Sequence, residues 1–98
     1  MGYMLEHIGE PAMLEQLAEE CAELGQAALK LARVLRKENP TPVTEDEASA
    51  MVLEEAADVW NCMNEVGIFG RPELAQITYE KLERFKTRWE EAHRAGKD

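Results

Sequence analysis

The chain has 98 residues, 20 of them acidic and 11 basic, for a formal net charge of −9. That excess argues against nucleic acid polymers or an anionic membrane as partners, because both are polyanions. With 45% apolar residues it is no disordered acidic tail, and its length suits one small domain that gains stability if chains pair.

Residues 3–9 can form a short extra turn of helix. Glu10-Pro11 then suits a helix start, with proline in the first turn. From there apolar residues fall at positions 14, 17, 21, 24, 28, 31 and 35. Alternating steps of three and four predict one long amphipathic helix of about 26 residues, roughly 39 Å. Asn39-Pro40-Thr41-Pro42 is a hard stop. Thr44-Glu45-Asp46-Glu47 has the form of a capping box and opens a second long helix to about Val66, ended by Gly67 and Gly70. Its apolar seam runs 48, 52, 59, 62, 66. Arg71-Pro72 opens a third, with Leu74, Ile77, Leu82, Phe85, Trp89 and Ala92 on one stripe, closing near Gly96. No segment alternates as a strand would. The expected fold is all-α, a single domain over residues 1–98: an antiparallel helical bundle of three main helices, completed by oligomerisation.

No segment reaches the roughly 18–20 apolar residues of a membrane span. The first six residues show neither the basic nor the hydrophobic region of a leader. Cys21 and Cys62 are too few for a disulfide framework and read as small core hydrophobes. Trp60, Trp89, Met51 and Met63 also read as core, although a tryptophan could stack on a base. A cytoplasmic location and no membrane partner are expected.

The charge is uneven. Residues 1–24 carry six acids and no Lys or Arg, residues 25–38 carry four bases and one acid, and residues 39–58 carry six acids and no base. Glu45, Asp46 and Glu47 favour the positive end of a helix dipole, and Glu80 with Arg84 and Glu90 with Arg94 have the spacing of favourable pairs. Glu19, Glu20, Glu23, Glu54, Glu55 and Asp58 have no such explanation. They lie inside their helices without a Lys or Arg one turn downstream. Glu19/Glu23 and Glu54/Asp58 are like-charged pairs that cost about a few tenths of a kcal/mol each. Glu55 occupies the missing step of the second helix's seam, so it should face the interior, with Glu20, Glu23 and Asp58 at its margin.

A divalent cation would resolve such a cluster. Glu20/Glu23 and Glu55/Asp58 are both i, i+3 pairs, each stacked on one helix face. Two facing helices so equipped make an all-oxygen site suited to Mg²⁺, with Mn²⁺ as a substitute. A fortuitous acidic face is the competing reading. A di-iron centre would want Glu-x-x-His twice, and His7 and His93 stand at the chain ends instead, in solvated or capping positions.

The words Leu17-Ala18-Glu19-Glu20-Cys21-Ala22-Glu23-Leu24, Glu54-Glu55-Ala56-Ala57-Asp58-Val59 and Lys81-Leu82-Glu83-Arg84-Phe85 resemble, in order, the EExxE, ExxD and Lys-x-x-Arg blocks of the MazG-like all-α nucleoside triphosphate pyrophosphohydrolases. The resemblance spans roughly residues 12–92. It implies hydrolysis of (d)NTPs between the α and β phosphates to a monophosphate and pyrophosphate, for clearance of non-canonical nucleotides or control of pools. It implies Mg²⁺ held by Glu20, Glu23, Glu55 and Asp58. Glu19 and Glu54 become candidates to orient the attacking water, and Lys81 and Arg84 to bind phosphate. It further implies a homodimer or a dimer of dimers. Where many members carry Asn two residues before the Lys, this chain has Tyr79, and Asn61 is the candidate substitute for that nucleotide contact. The 31 residues between Glu23 and Glu55 are longer than the family habit, and the chain stops soon after the third helix. Two alternatives stay open: a phosphoribosyl-ATP pyrophosphatase-like enzyme, and a non-catalytic helical interaction protein that keeps the fold.

Overall fold

The computed structural model describes residues 2–37 and 42–95. In chain order these form α1 (Tyr3–Ile8), α2 (Glu10–Arg36), α3 (Glu45–Glu65), a single 3₁₀ turn (Ile68–Gly70) and α4 (Glu73–Ala95). There is no strand among the described residues, so the all-α expectation holds. No helix of the described residues is long and apolar enough to cross a membrane. The stop at Asn39-Pro40-Thr41 and the closing Gly96 lie outside the described residues.

The chain divides into two compact units, Met1–Ile68 and Phe69–Asp98. In the first, α2 and α3 pack as an antiparallel hairpin and α1 packs on both. Local chemistry sets the boundaries. Gly9, with φ 86° and ψ 164°, is the single-residue joint between α1 and α2, a backbone conformation essentially reserved for glycine. Pro11 occupies the first turn of α2, where its missing N–H has no helical partner to lose. At Thr44 both halves of the capping box form: Glu47 N–H donates to Thr44 Oγ1 at 3.1 Å, and Thr44 N–H donates to Glu47 Oε1 at 3.0 Å. Gly67, at φ 80°, turns the chain after α3, and its N–H donates to the Asn64 carbonyl. The short α1 is tied down by Glu65, whose Oε1 accepts from Leu5 N–H at 2.8 Å. Gly2 lies so close to that carboxylate that a Cβ there would collide with it.

Few side chains are fully buried. Among the described residues Met13, Ala27, Ala48 and Cys62 are the buried hydrophobic ones, and they share one spacing. On α2, Met13 and Ala27 are seven residues to either side of Glu20; on α3, Ala48 and Cys62 are seven to either side of Glu55. The contact faces are therefore Met13–Glu20–Ala27 and Ala48–Glu55–Cys62, and a glutamate occupies the middle step of each.

For α3 this is the face the apolar pattern predicts. For α2 the face is rotated by one residue. Leu14 and Leu35 are exposed and so is Cys21, while Leu17, Leu24 and Leu31 are half-buried and serve both edges of the stripe. Because α2 is apolar on either side of those three leucines, it can offer two edges, and the one interrupted by Glu20 meets α3. Trp60 on α3 and Trp89 on α4 are more than half exposed, so neither is the core residue expected of it.

In the second unit α4 carries Ile77, Leu82, Phe85 and Trp89 exposed, with the Phe85 and Trp89 rings stacked at 6.5 Å between centroids. Glu80 accepts from Gln76 at 2.9 Å rather than pairing with Arg84, and the ion pair of this helix is Glu83–Lys86 at 3.4 Å. On an exposed helix such alternatives differ by only a few tenths of a kcal/mol. His7 and His93 each hydrogen-bond the carbonyl four residues back, Tyr3 and Trp89 respectively, the capping role their positions suggest.

Candidate metal centre

The antiparallel pairing of α2 and α3 brings their two central glutamates together. Carboxylate oxygens of Glu20, Glu23 and Glu55 all lie within 4.8 Å of one another. Glu20 and Glu55 are half-buried and Glu23 is exposed at the rim. Glu20 Oε1 accepts from Gln16 Nε2 at 2.7 Å, one turn back on α2. The second oxygens, Glu20 Oε2 and Glu55 Oε2, are inaccessible to solvent and have no hydrogen-bond partner among the described residues. No Lys or Arg is ion-paired to any of the three among the described residues.

Electrostatics follow from this arrangement. Burial raises the Glu20 carboxyl above its ordinary value, the Gln16 amide pulls it back, and the Glu23 and Asp58 carboxylates add to the rise. The neighbouring Cys62 thiol is raised as well, first by burial and then by Glu20 and Asp58. It stays a neutral packing group rather than a nucleophile.

Three of the four residues expected to hold metal thus converge. Asp58 is exposed and lies close enough to act on Glu20 electrostatically, but it stands outside the three-carboxylate group. Glu19 and Glu54 are exposed beside the cluster in sequence without belonging to it, and Asn61 is exposed on α3. Lys81 and Arg84 are exposed on α4 in the second unit, and Arg84 has no ion pair among the described residues.

Four residues outside the predicted site set stand beside the cluster. Gln16 holds Glu20, and Gln26, Lys30 and Arg33 line an open groove of about 470 Å³ that also includes Glu23 and Glu55. The i, i+4 spacing of Gln16 and Glu20 is a signal the sequence does carry. Lys30 and Arg33 are harder to see, because a cation in the last turn of α2, as Arg33 is, suits its dipole without any ligand, and Lys30 stands only one turn before it.

The residues present fit a hard divalent cation. The donor set is all oxygen, and two buried carboxylate oxygens lack any proton donor, which is costly unless a cation offsets them. Comparison with protein-family models, with curated proteins and with solved structures finds no match for this chain.

Proposed function

We propose that this chain is a Mg²⁺-dependent nucleoside triphosphate pyrophosphohydrolase of the MazG-like all-α type. The observation that carries the reading is the pair of unpartnered buried oxygens, Glu20 Oε2 and Glu55 Oε2, at the central contact positions of the α2–α3 hairpin with Glu23 beside them. An apolar residue at either position would pack without penalty. Carboxylates there are costly to the fold and suit a cation.

Glu20, Glu23 and Glu55 would hold Mg²⁺, and Asp58 is the fourth ligand that the resemblance implies. When bound, the ion offsets negative charge that develops on the phosphate oxygens. The chain's own groups do the rest. One of Glu19 and Glu54, the sequence neighbours of Glu20 and Glu55, would help orient the attacking water. The water oxygen bonds to the α-phosphorus, the bond from that phosphorus to the bridging oxygen breaks, and pyrophosphate leaves. Lys81 and Arg84 form the Lys-x-x-Arg block that the resemblance assigns to phosphate oxygens, and Asn61 offers an amide to the nucleotide.

Self-association belongs to the same proposal. Leu14, Leu35 and Leu53 are exposed on the first unit at 47%, 55% and 72%, apolar surface that a second copy would cover. Incubation with a panel of (d)NTPs and Mg²⁺, with the products resolved, tests the activity. Monophosphate plus pyrophosphate is expected. Orthophosphate release, or no turnover with any nucleotide, contradicts it and leaves the non-catalytic interaction protein.

A further inference from the structure

The groove beside the carboxylates has a charge pattern that the metal reading leaves unexplained. Glu23 and Glu55 line one part of it, and α2 then contributes Gln26, Lys30 and Arg33. At the helical rise, Lys30 and Arg33 stand about 10 and 15 Å along the axis from Glu23. Buried Ala27 and half-buried Met51 give the groove an apolar floor. It is therefore acidic where the cation would sit and basic two to three turns further on.

Lys30 and Arg33 are poorly served by the fold alone. They are a like-charged i, i+3 pair on one helix face, and no acid stands three or four residues from either. Neither forms an ion pair or hydrogen bond with another described residue. The dipole of α2 favours Arg33 in its last turn, but that effect fades beyond one turn and does not reach Lys30. Lys30 is half-buried in a chain whose net charge is −9, and the groove acids Glu23 and Glu55 share their carboxylate cluster with Glu20.

The geometry points to this groove as the seat of the substrate's phosphate chain. The carboxylate end takes the cation-chelated oxygens, and Lys30 and Arg33 bind oxygens further along. The ammonium acts as a point charge and the guanidinium as a two-pronged donor. The identity of the ligand rests on the hydrolase reading; the groove's affinity for a metal-chelated polyphosphate does not require turnover.

The test is calorimetric titration of the whole chain with inorganic tripolyphosphate in Mg²⁺, which removes base and sugar from the question. Wild type should bind. Lys30→Met and Arg33→Met, which keep the apolar stem, should each weaken binding about tenfold through loss of a charge-assisted contact. Lys30→Arg should recover most of the loss, and Mn²⁺ affinity without the anion should match wild type. Thermal unfolding followed by helicity verifies that the variants fold. No binding by wild type, or wild-type affinity in both Met variants, overturns the groove assignment. The two proposals separate cleanly. Tripolyphosphate bound through Lys30 and Arg33 without cleavage of any nucleotide defeats the hydrolase reading alone. Cleavage at wild-type kcat/KM by both Met variants defeats the groove alone.

Discussion

The carboxylates at the start of α3 and those where its middle meets α2 have opposite fates. At the start, the Glu47 carboxylate accepts from the Thr44 backbone N–H, and this bond first, then the Thr44 side chain, holds its carboxyl below the ordinary value. Ten residues into the helix, Glu55 faces Glu20 and Glu23, buried oxygens go unpaired, and the Glu20 carboxyl is pushed up by burial and by its acidic neighbours. The first group is accounted for by folding, since its charge satisfies a helix end. The second works against folding. The opposite directions for Glu47 and Glu20 separate an acid that serves the structure from one whose burial opposes its charge, which the −9 total conceals.

Breaking each group separately sharpens the contrast. The largest effect is expected from Glu55→Gln, which keeps shape and removes charge. Turnover should fall by about a hundredfold or more, judged by the metal affinity lost even when a ligand's supporting residue is changed. Glu47→Gln should leave kcat/KM near wild type. Mg²⁺ itself comes next. At a hundred times its Kd it should stabilise the wild type by about 2.7 kcal/mol, read as a rise in Tm, and Glu55→Gln should abolish most of that rise. Thr44→Ala should do the reverse. It costs about 1 kcal/mol of stability, or roughly 4–8 °C in Tm, and leaves the Mg²⁺-dependent increment intact. If Thr44→Ala lowers the increment and Glu55→Gln does not, the contrast between the two groups is wrong.

The smallest effect is on pH dependence, where the two groups pull in opposite directions. Glu20, raised in the folded chain, holds its proton more tightly there than in the unfolded chain. Its favourable contribution is present at low pH and is lost as pH rises from about 4.5 through its folded value. Glu47 and Glu73 are lowered, Glu73 through Arg71, so their contribution is present above about 4.5 and is lost as pH falls through their folded values. Without metal, Glu20→Gln should flatten the decline of Tm on the upper side of that pH, and Thr44→Ala the decline on the lower side. Mg²⁺ should mimic Glu20→Gln by competing with the proton.

The helices were legible because their signals are local. A capping box, a proline in a first turn, a glycine after a last turn and three–four spacing each act within a few residues, and the boundaries of α2 and α3 follow. Glu55 was legible for a related reason: an otherwise regular seam skipped one step and a charge stood in the gap. Glu20 was only half-legible, because α2 is apolar on both sides of Leu17, Leu24 and Leu31 and the edge without a charge looked like the better core. What decides between the edges is α3, a tertiary partner no window on α2 contains. The groove residues Lys30 and Arg33 were hidden differently, since a basic stretch toward a helix end invites a dipole explanation that only Arg33 satisfies. Trp60 and Trp89 were misjudged as core because helical spacing places an aromatic on a stripe without saying what covers it.

The central claim, that the Glu20–Glu23–Glu55 cluster directs water to an α-phosphorus, is tested most directly by running the reaction in heavy-oxygen water with Mg²⁺ and a dNTP and locating the label by mass. The account predicts one labelled oxygen in the nucleoside monophosphate, unlabelled pyrophosphate, and loss of both products in Glu55→Gln. Label in pyrophosphate or orthophosphate, or turnover that survives Glu55→Gln, would contradict it.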